Sequence, residues 1–93
     1  MDNAGTRTDR EIMAALGLRL RALRRGQGLT LAEVAARAHM DRKTVHRAEK
    51  GDNPGLETLI RLLRVYGRLD ALDDFVPEPT VSPMALLRER RRS

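Results

Sequence analysis

Residues 29–51, LTLAEVAARAHMDRKTVHRAEKG, read as two short helices joined by a tight turn. Thr30 followed three residues on by Glu33 is a capping box. The Thr hydroxyl accepts from the Glu amide and the Glu carboxylate accepts from the Thr amide, so a helix begins there. Asp41 is a good N-cap for the next helix, because its short carboxylate can accept from unpaired first-turn amides. Gly51 stops that helix, since Gly takes the left-handed conformation after a C-cap without strain. Leu31, Val34, Ala35 and Ala38 form the buried face of the first helix, and Val45 and Ala48 that of the second. The small Ala35 and Ala38 let the two helices cross closely. Arg42, Lys43, His46 and Arg47 are left facing outward, with Lys50 at the helix end.

The flanks extend the same all-helical pattern. Thr8 and Glu11 form another capping box, and a helix over residues 9–25 keeps Ile12, Leu16, Leu20 and Leu23 on one stripe. Gly17 is a mild internal penalty. Gly26 and Gly28 end this helix, and Arg24 and Arg25 in its last turn suit the macrodipole. Asp52, Asn53, Pro54 and Gly55 make a turn. A fourth helix over 56–66 has Leu56, Leu59, Ile60 and Leu63 inward and ends at Gly67. A short fifth helix over 69–75 carries Leu69, Leu72 and Phe75, with Val76 next to it. Pro77, Pro79 and Pro83 then break regular structure. The last segment, MALLRERRR, is either a short helix on a partner or a frayed end. No strand pattern or internal repeat is present. The expected organisation is an all-α domain over 9–76 and a flexible, Pro-containing basic tail over 77–93.

A chain of 93 residues supports one small domain. At that size it buries only about 60–65% of its unfolded surface, so dimerisation would add useful burial. There is no Cys, which excludes disulfides and thiolate metal sites. The two His have no carboxylates clustered around them, so no metal and no cofactor are expected. No apolar run approaches the roughly 20 residues that span a bilayer, so no membrane partner is expected. The N-terminus, MDNAGTRTDRE, lacks the basic start and apolar stretch of a signal peptide. The expected location is cytoplasmic. Residues 19–50 hold nine Lys or Arg against three Asp or Glu, whereas 51–79 hold three against six. The tail from residue 80 adds four against one. Such asymmetry fits a polyanion facing one side of the fold, the alternative being a solvated basic surface.

Residues 19–66 resemble the Cro/CI-type, or Xre, helix-turn-helix family. The resemblance is carried by Leu20, Arg21, Leu23, Arg24, Gly28, Leu29, Thr30, Glu33 and Ala35. It continues through Arg42, Thr44, Val45, Arg47, Glu49 and Gly51, and then Leu56, Glu57, Thr58 and Leu59. The flanking LRALRR and LETLIRLL make the match more specific than a lone motif. It implies a five-helix lambda-repressor-like fold whose second motif helix enters the DNA major groove. Two positions depart from the pattern. Leu31 stands where the family commonly has a phosphate-binding Gln, and His39 stands where the turn usually has Gly. His is among the types that tolerate a left-handed conformation.

The resemblance assigns roles by position. Arg42, Lys43, His46 and Arg47 read base edges, an Arg being suited to bidentate contact with guanine. Thr30, Thr44 and Lys50 hold phosphates. Alternatively, Arg47 pairs with an acid, and His46, Lys43 and Lys50 are solvated side chains. Arg24 and Glu49 are implied to form a buried structural ion pair. Leu62, Val65, Leu69, Leu72, Phe75 and Val76 are candidates for a homodimer face, with plain core as the alternative for each.

The order GRLDALDDFVPEP…SPMALLRERRR is similar to Xre-type antitoxins of the HipB kind, which partner HipA-like serine/threonine kinases. The functional expectation is a repressor that binds double-stranded DNA as a homodimer on an inverted repeat. It would be an autoregulating antitoxin of a toxin–antitoxin pair. Alternatives are a stand-alone Xre regulator and a module that mainly binds protein. An enzyme is not expected. The chain has no phosphate loop, no nucleophile constellation and no metal-ligand spacing. The Asp70, Asp73 and Asp74 cluster reads as a solvated face.

Overall fold

The computed structural model describes residues 4–80 and 83–92. A 3-10 turn at Ala4–Thr6 precedes α1 (Asp9–Gly26), α2 (Leu31–Ala38), α3 (Arg42–Glu49), α4 (Leu56–Val65), α5 (Ala71–Phe75) and α6 (Pro83–Arg92). The described residues contain no strand. Both capping boxes form. Thr8 and Glu11 satisfy each other's amides at the start of α1, and Thr30 and Glu33 do so at the start of α2. Asp41 occupies the N-cap of α3 but makes no side-chain cap bond. The Thr44 amide donates instead to the Asp41 backbone carbonyl at 3.0 Å.

α3 is the central element, packed against α1, α2 and α4. The core comprises Leu20 and Leu29 from the α1 side, Val34, Ala35 and Ala38 of α2, Val45 and Ala48 of α3, and Leu62 and Tyr66 at the end of α4. Val34, Val45 and Leu62 are fully buried. Two glycines set the distance between α1 and the end of α3. A Cβ on Gly17 would collide with the backbone carbonyl of Glu49, and one on Gly51 would stand 2.8 Å from the Ala14 Cα. Gly17 is therefore a packing requirement in the middle of a helix rather than a mild defect.

Three expectations are corrected. α4 is rotated relative to the predicted face: Leu62 and Tyr66 enter the core, while Leu56 is 60% exposed. Leu62 is consequently excluded from any subunit interface. The tail is not simply flexible, because residues 83–92 form α6, giving six α-helices among the described residues rather than five. Its Met84, Leu86 and Leu87 are exposed, so α6 stands off the core. Leu69 lies just before α5 and not within it.

Candidate nucleic-acid interface

The turn between α2 and α3 depends on His39, which adopts φ 55° and ψ 50°. This left-handed residue reverses the chain within a few positions and presents the α3 N-terminus to solvent. On α3, Val45 and Ala48 are buried while Arg42, Lys43, His46 and Arg47 are exposed. The 3.6-residue helical period separates these two sets. Arg42, Lys43 and His46 share one shallow cleft with Leu31. Arg47 and Thr44 lie elsewhere, around a notch that also includes Asp52, Pro54 and Thr58. Arg47 Nε donates to Asp52 Oδ2 at 3.1 Å, and both side chains are well exposed. An exposed pair of this kind holds only about 0–1 kcal/mol, so Arg47 is readily released to another anion.

Thr30 is exposed at the N-cap of α2, where its hydroxyl oxygen accepts from the Glu33 amide at 3.1 Å. A hydroxyl that accepts one bond still has its hydrogen to donate outward. Leu31, in the first turn, is half-buried and offers the cleft only an apolar wall.

A helix-turn-helix domain family model matches residues 15–75. The chain belongs to the helix-turn-helix domain family. No curated protein matches it. Domains of this kind serve DNA-binding regulators, and here the motif consists of α2, the His39 turn and α3, with α3 in the position of the groove-entering helix.

The helix-turn-helix is fastened to α1 by Arg24 and Glu49. Arg24 Nε donates to Glu49 Oε2 at 2.7 Å and Nη2 to Oε1 at 3.0 Å, while Nη1 donates to the Leu29 carbonyl at 3.0 Å. Their side chains are 11% and 4% exposed. The hydrogen bonds from Glu49 raise the Arg24 pKa further above its ordinary value, against the opposing effect of burial. Nearby, burial and the Glu49 charge push the Tyr66 phenol up to about 12. Both groups stay protonated at any physiological pH, so this joint does not titrate away.

The predicted dimer residues do not form one face. Leu72 and Phe75 line an open apolar groove of about 240 Å³ together with Leu16, Leu23, Leu56 and Leu63. Val65 lies on another side, in a cleft with Arg37, His39, Arg61 and Arg64. Val76 is exposed and Leu69 half-buried, neither lining the groove.

Sequence reasoning missed Arg21 and Arg25. They line a cleft with Leu31, His46 and Lys50, next to the Arg24–Glu49 pair. Their i, i+4 spacing was the available signal, but it could not say what that face of α1 looks onto. Among the described residues no group of His, Asp or Glu is placed to hold a metal ion. No described helix is long and apolar enough to cross a membrane.

Proposed function

We propose that this protein is a transcriptional repressor that reads an inverted repeat in double-stranded DNA as a homodimer. The observation that carries this reading is the division of α3. Its inner side is locked into the core and its outer side presents Arg42, Lys43 and His46 in one cleft, with no acidic side chain lining it. Arg42 and Lys43 lie in the first turn, where a groove-entering helix meets base edges. Arg47 exchanges Asp52 for a base edge or a phosphate. Thr30, Thr44 and Lys50 supply phosphate contacts that set register. One monomer reads too few base pairs for selectivity, whereas paired recognition helices roughly 34 Å apart read two half-sites. The dimer face that best suits this is the apolar groove around Leu72 and Phe75, where Leu56 and Phe75 are more than half exposed. Val65 and Leu62 take no part.

The narrower reading is an autoregulating, cytoplasmic antitoxin of the HipB kind, paired with a HipA-like kinase. It rests on the similarity of the C-terminal third. The exposed Met84, Leu86 and Leu87 of α6 support a protein contact there. The same α6 also serves the alternative of a module that mainly binds protein, and a stand-alone regulator needs no toxin at all.

Fluorescence anisotropy with the duplex upstream of the gene and a scrambled control, across a salt series, tests the main claim. A preference of roughly a thousand-fold or more is expected, with affinity falling steeply as salt rises. Equal weak binding to both duplexes refutes sequence-specific repression. Phe75→Asp is expected to shift the sedimentation equilibrium from dimer to monomer. A monomeric wild-type protein at micromolar concentration would remove the dimer from the proposal.

A further inference from the structure

Four cationic or ionisable side chains from two helices converge beside the motif. Arg21 and Arg25 come from the last two turns of α1, and His46 and Lys50 come from α3 and its C-cap. The only acid in this cleft, Glu49, already accepts two hydrogen bonds from Arg24. Arg21, Arg25 and Lys50 are exposed and form no described ion pair. The cleft thus holds three uncompensated positive charges around an internally neutralised pair. It shares Leu31 and His46 with the cleft at the α3 N-terminus, so the two form one continuous trench. Leu31 offers no hydrogen bond at the junction, and whatever anion lies there must be held by the cations around it.

We infer that Arg21 and Arg25 of α1 act with Lys50 as a clamp for a phosphodiester of the DNA backbone. The inference rests on the DNA-binding reading and adds α1 to the contact surface. The chemistry is electrostatic and independent of sequence, because a phosphate oxygen carries no base identity. The Arg24–Glu49 joint fixes the α1 arginines relative to α3, so the clamp sets how deeply α3 enters the groove. Arg suits this role, since its planar fork matches phosphate oxygens.

The test compares wild type, Arg21→Ala/Arg25→Ala and Arg10→Ala/Arg68→Ala. The last has the same net charge change at exposed positions that do not line the cleft. Thermal melting by circular dichroism checks that each variant folds. The clamp variant is expected to lose on the order of tenfold or more in affinity, equally for the upstream and scrambled duplexes. Its slope of log affinity against log salt should fall by about 1–2, at about 0.9 per phosphate contact. The control variant should stay within about twofold. Equal losses in both variants would reduce the effect to net charge and overturn the clamp. If wild type binds the duplexes and the clamp variant binds equally well, the clamp alone falls. If wild type binds no duplex, both readings fall. Inorganic phosphate at constant ionic strength is a further arm: displacement of the duplex at millimolar concentration would assign the site to a free anion and overturn the backbone assignment.

Discussion

Replacing Gly17 by Ala should destabilise this protein, against the ordinary rule for helices. In a mid-helix position Ala is favoured over Gly by roughly 0.5–1 kcal/mol. Here the added methyl would run into the carbonyl oxygen of Glu49, with the Glu49 carbonyl carbon and the Gly51 amide nitrogen each 2.8 Å away. All three atoms are backbone, so no rotamer change makes room. The end of α3 must move off α1, and the Arg24–Glu49 joint is strained as it does. Overpacking commonly costs about 1–3 kcal/mol, and a backbone clash belongs at the upper end. Setting about 3 kcal/mol against a propensity gain near 1 leaves a net loss of about 2 kcal/mol. For a domain of this size that lowers Tm by roughly 8–16 °C. Urea and thermal denaturation followed by circular dichroism measure it. Gly26→Ala is the matched comparison, because a Cβ there meets nothing within 4 Å; it should be neutral or mildly stabilising. Gly17→Ala melting at or above wild type would refute the reasoning.

Three further outcomes follow from the same structure. Glu49→Ala leaves the Arg24 guanidinium buried without its carboxylate and should cost about 3–5 kcal/mol; unchanged thermal stability would show that the pair is not structural. Tyr66→Phe removes a buried hydroxyl that finds no hydrogen-bond partner among the described residues, so stability should hold or rise by about 1 kcal/mol, and a clear drop in Tm would contradict this. The Thr8 and Thr30 amides and hydroxyls lower the Glu11 and Glu33 pKa values below 4.5, so each box contributes stability above the unfolded value that is lost as pH falls through the lowered folded value. Glu11→Gln/Glu33→Gln keeps the reach of the boxes without the titration, and its unfolding midpoint should vary less with pH below 4.5 than that of wild type; identical profiles would place the acid sensitivity elsewhere.

Local chemistry made the element starts legible. A Thr with a Glu three residues later needs no knowledge of the rest of the chain, and both boxes form as read. The same holds for Gly51, with φ 74°, and for the left-handed His39. Asp41 failed as a side-chain cap because a cap residue can be replaced by its own backbone carbonyl, and sequence does not show which is used. The face of α4 was illegible for a different reason. Leu56, Leu59, Ile60, Leu62, Leu63 and Val65 occupy most of the helix circumference, so periodicity selects no side. Tertiary packing turned Leu62 inward. Gly17 against Gly51, and Arg21 and Arg25 against Lys50, are likewise relations between distant parts of the chain. Composition marked those residues as unusual or basic, but only the packed helices show what each one meets. The outward residues of α3 were readable because their inward neighbours Val45 and Ala48 are unambiguous.

The split character of α3 also bears on how such a sequence can diversify. Val45, Ala48 and Glu49 are committed to neighbours in α1, α2 and α4, and Gly51 is closed to any larger residue by the backbone of α1. Arg42, Lys43 and His46 touch none of that machinery. Substitutions can therefore accumulate on the outer positions while the frame stays constant, and a duplicated copy can acquire a new target without renegotiating its own folding.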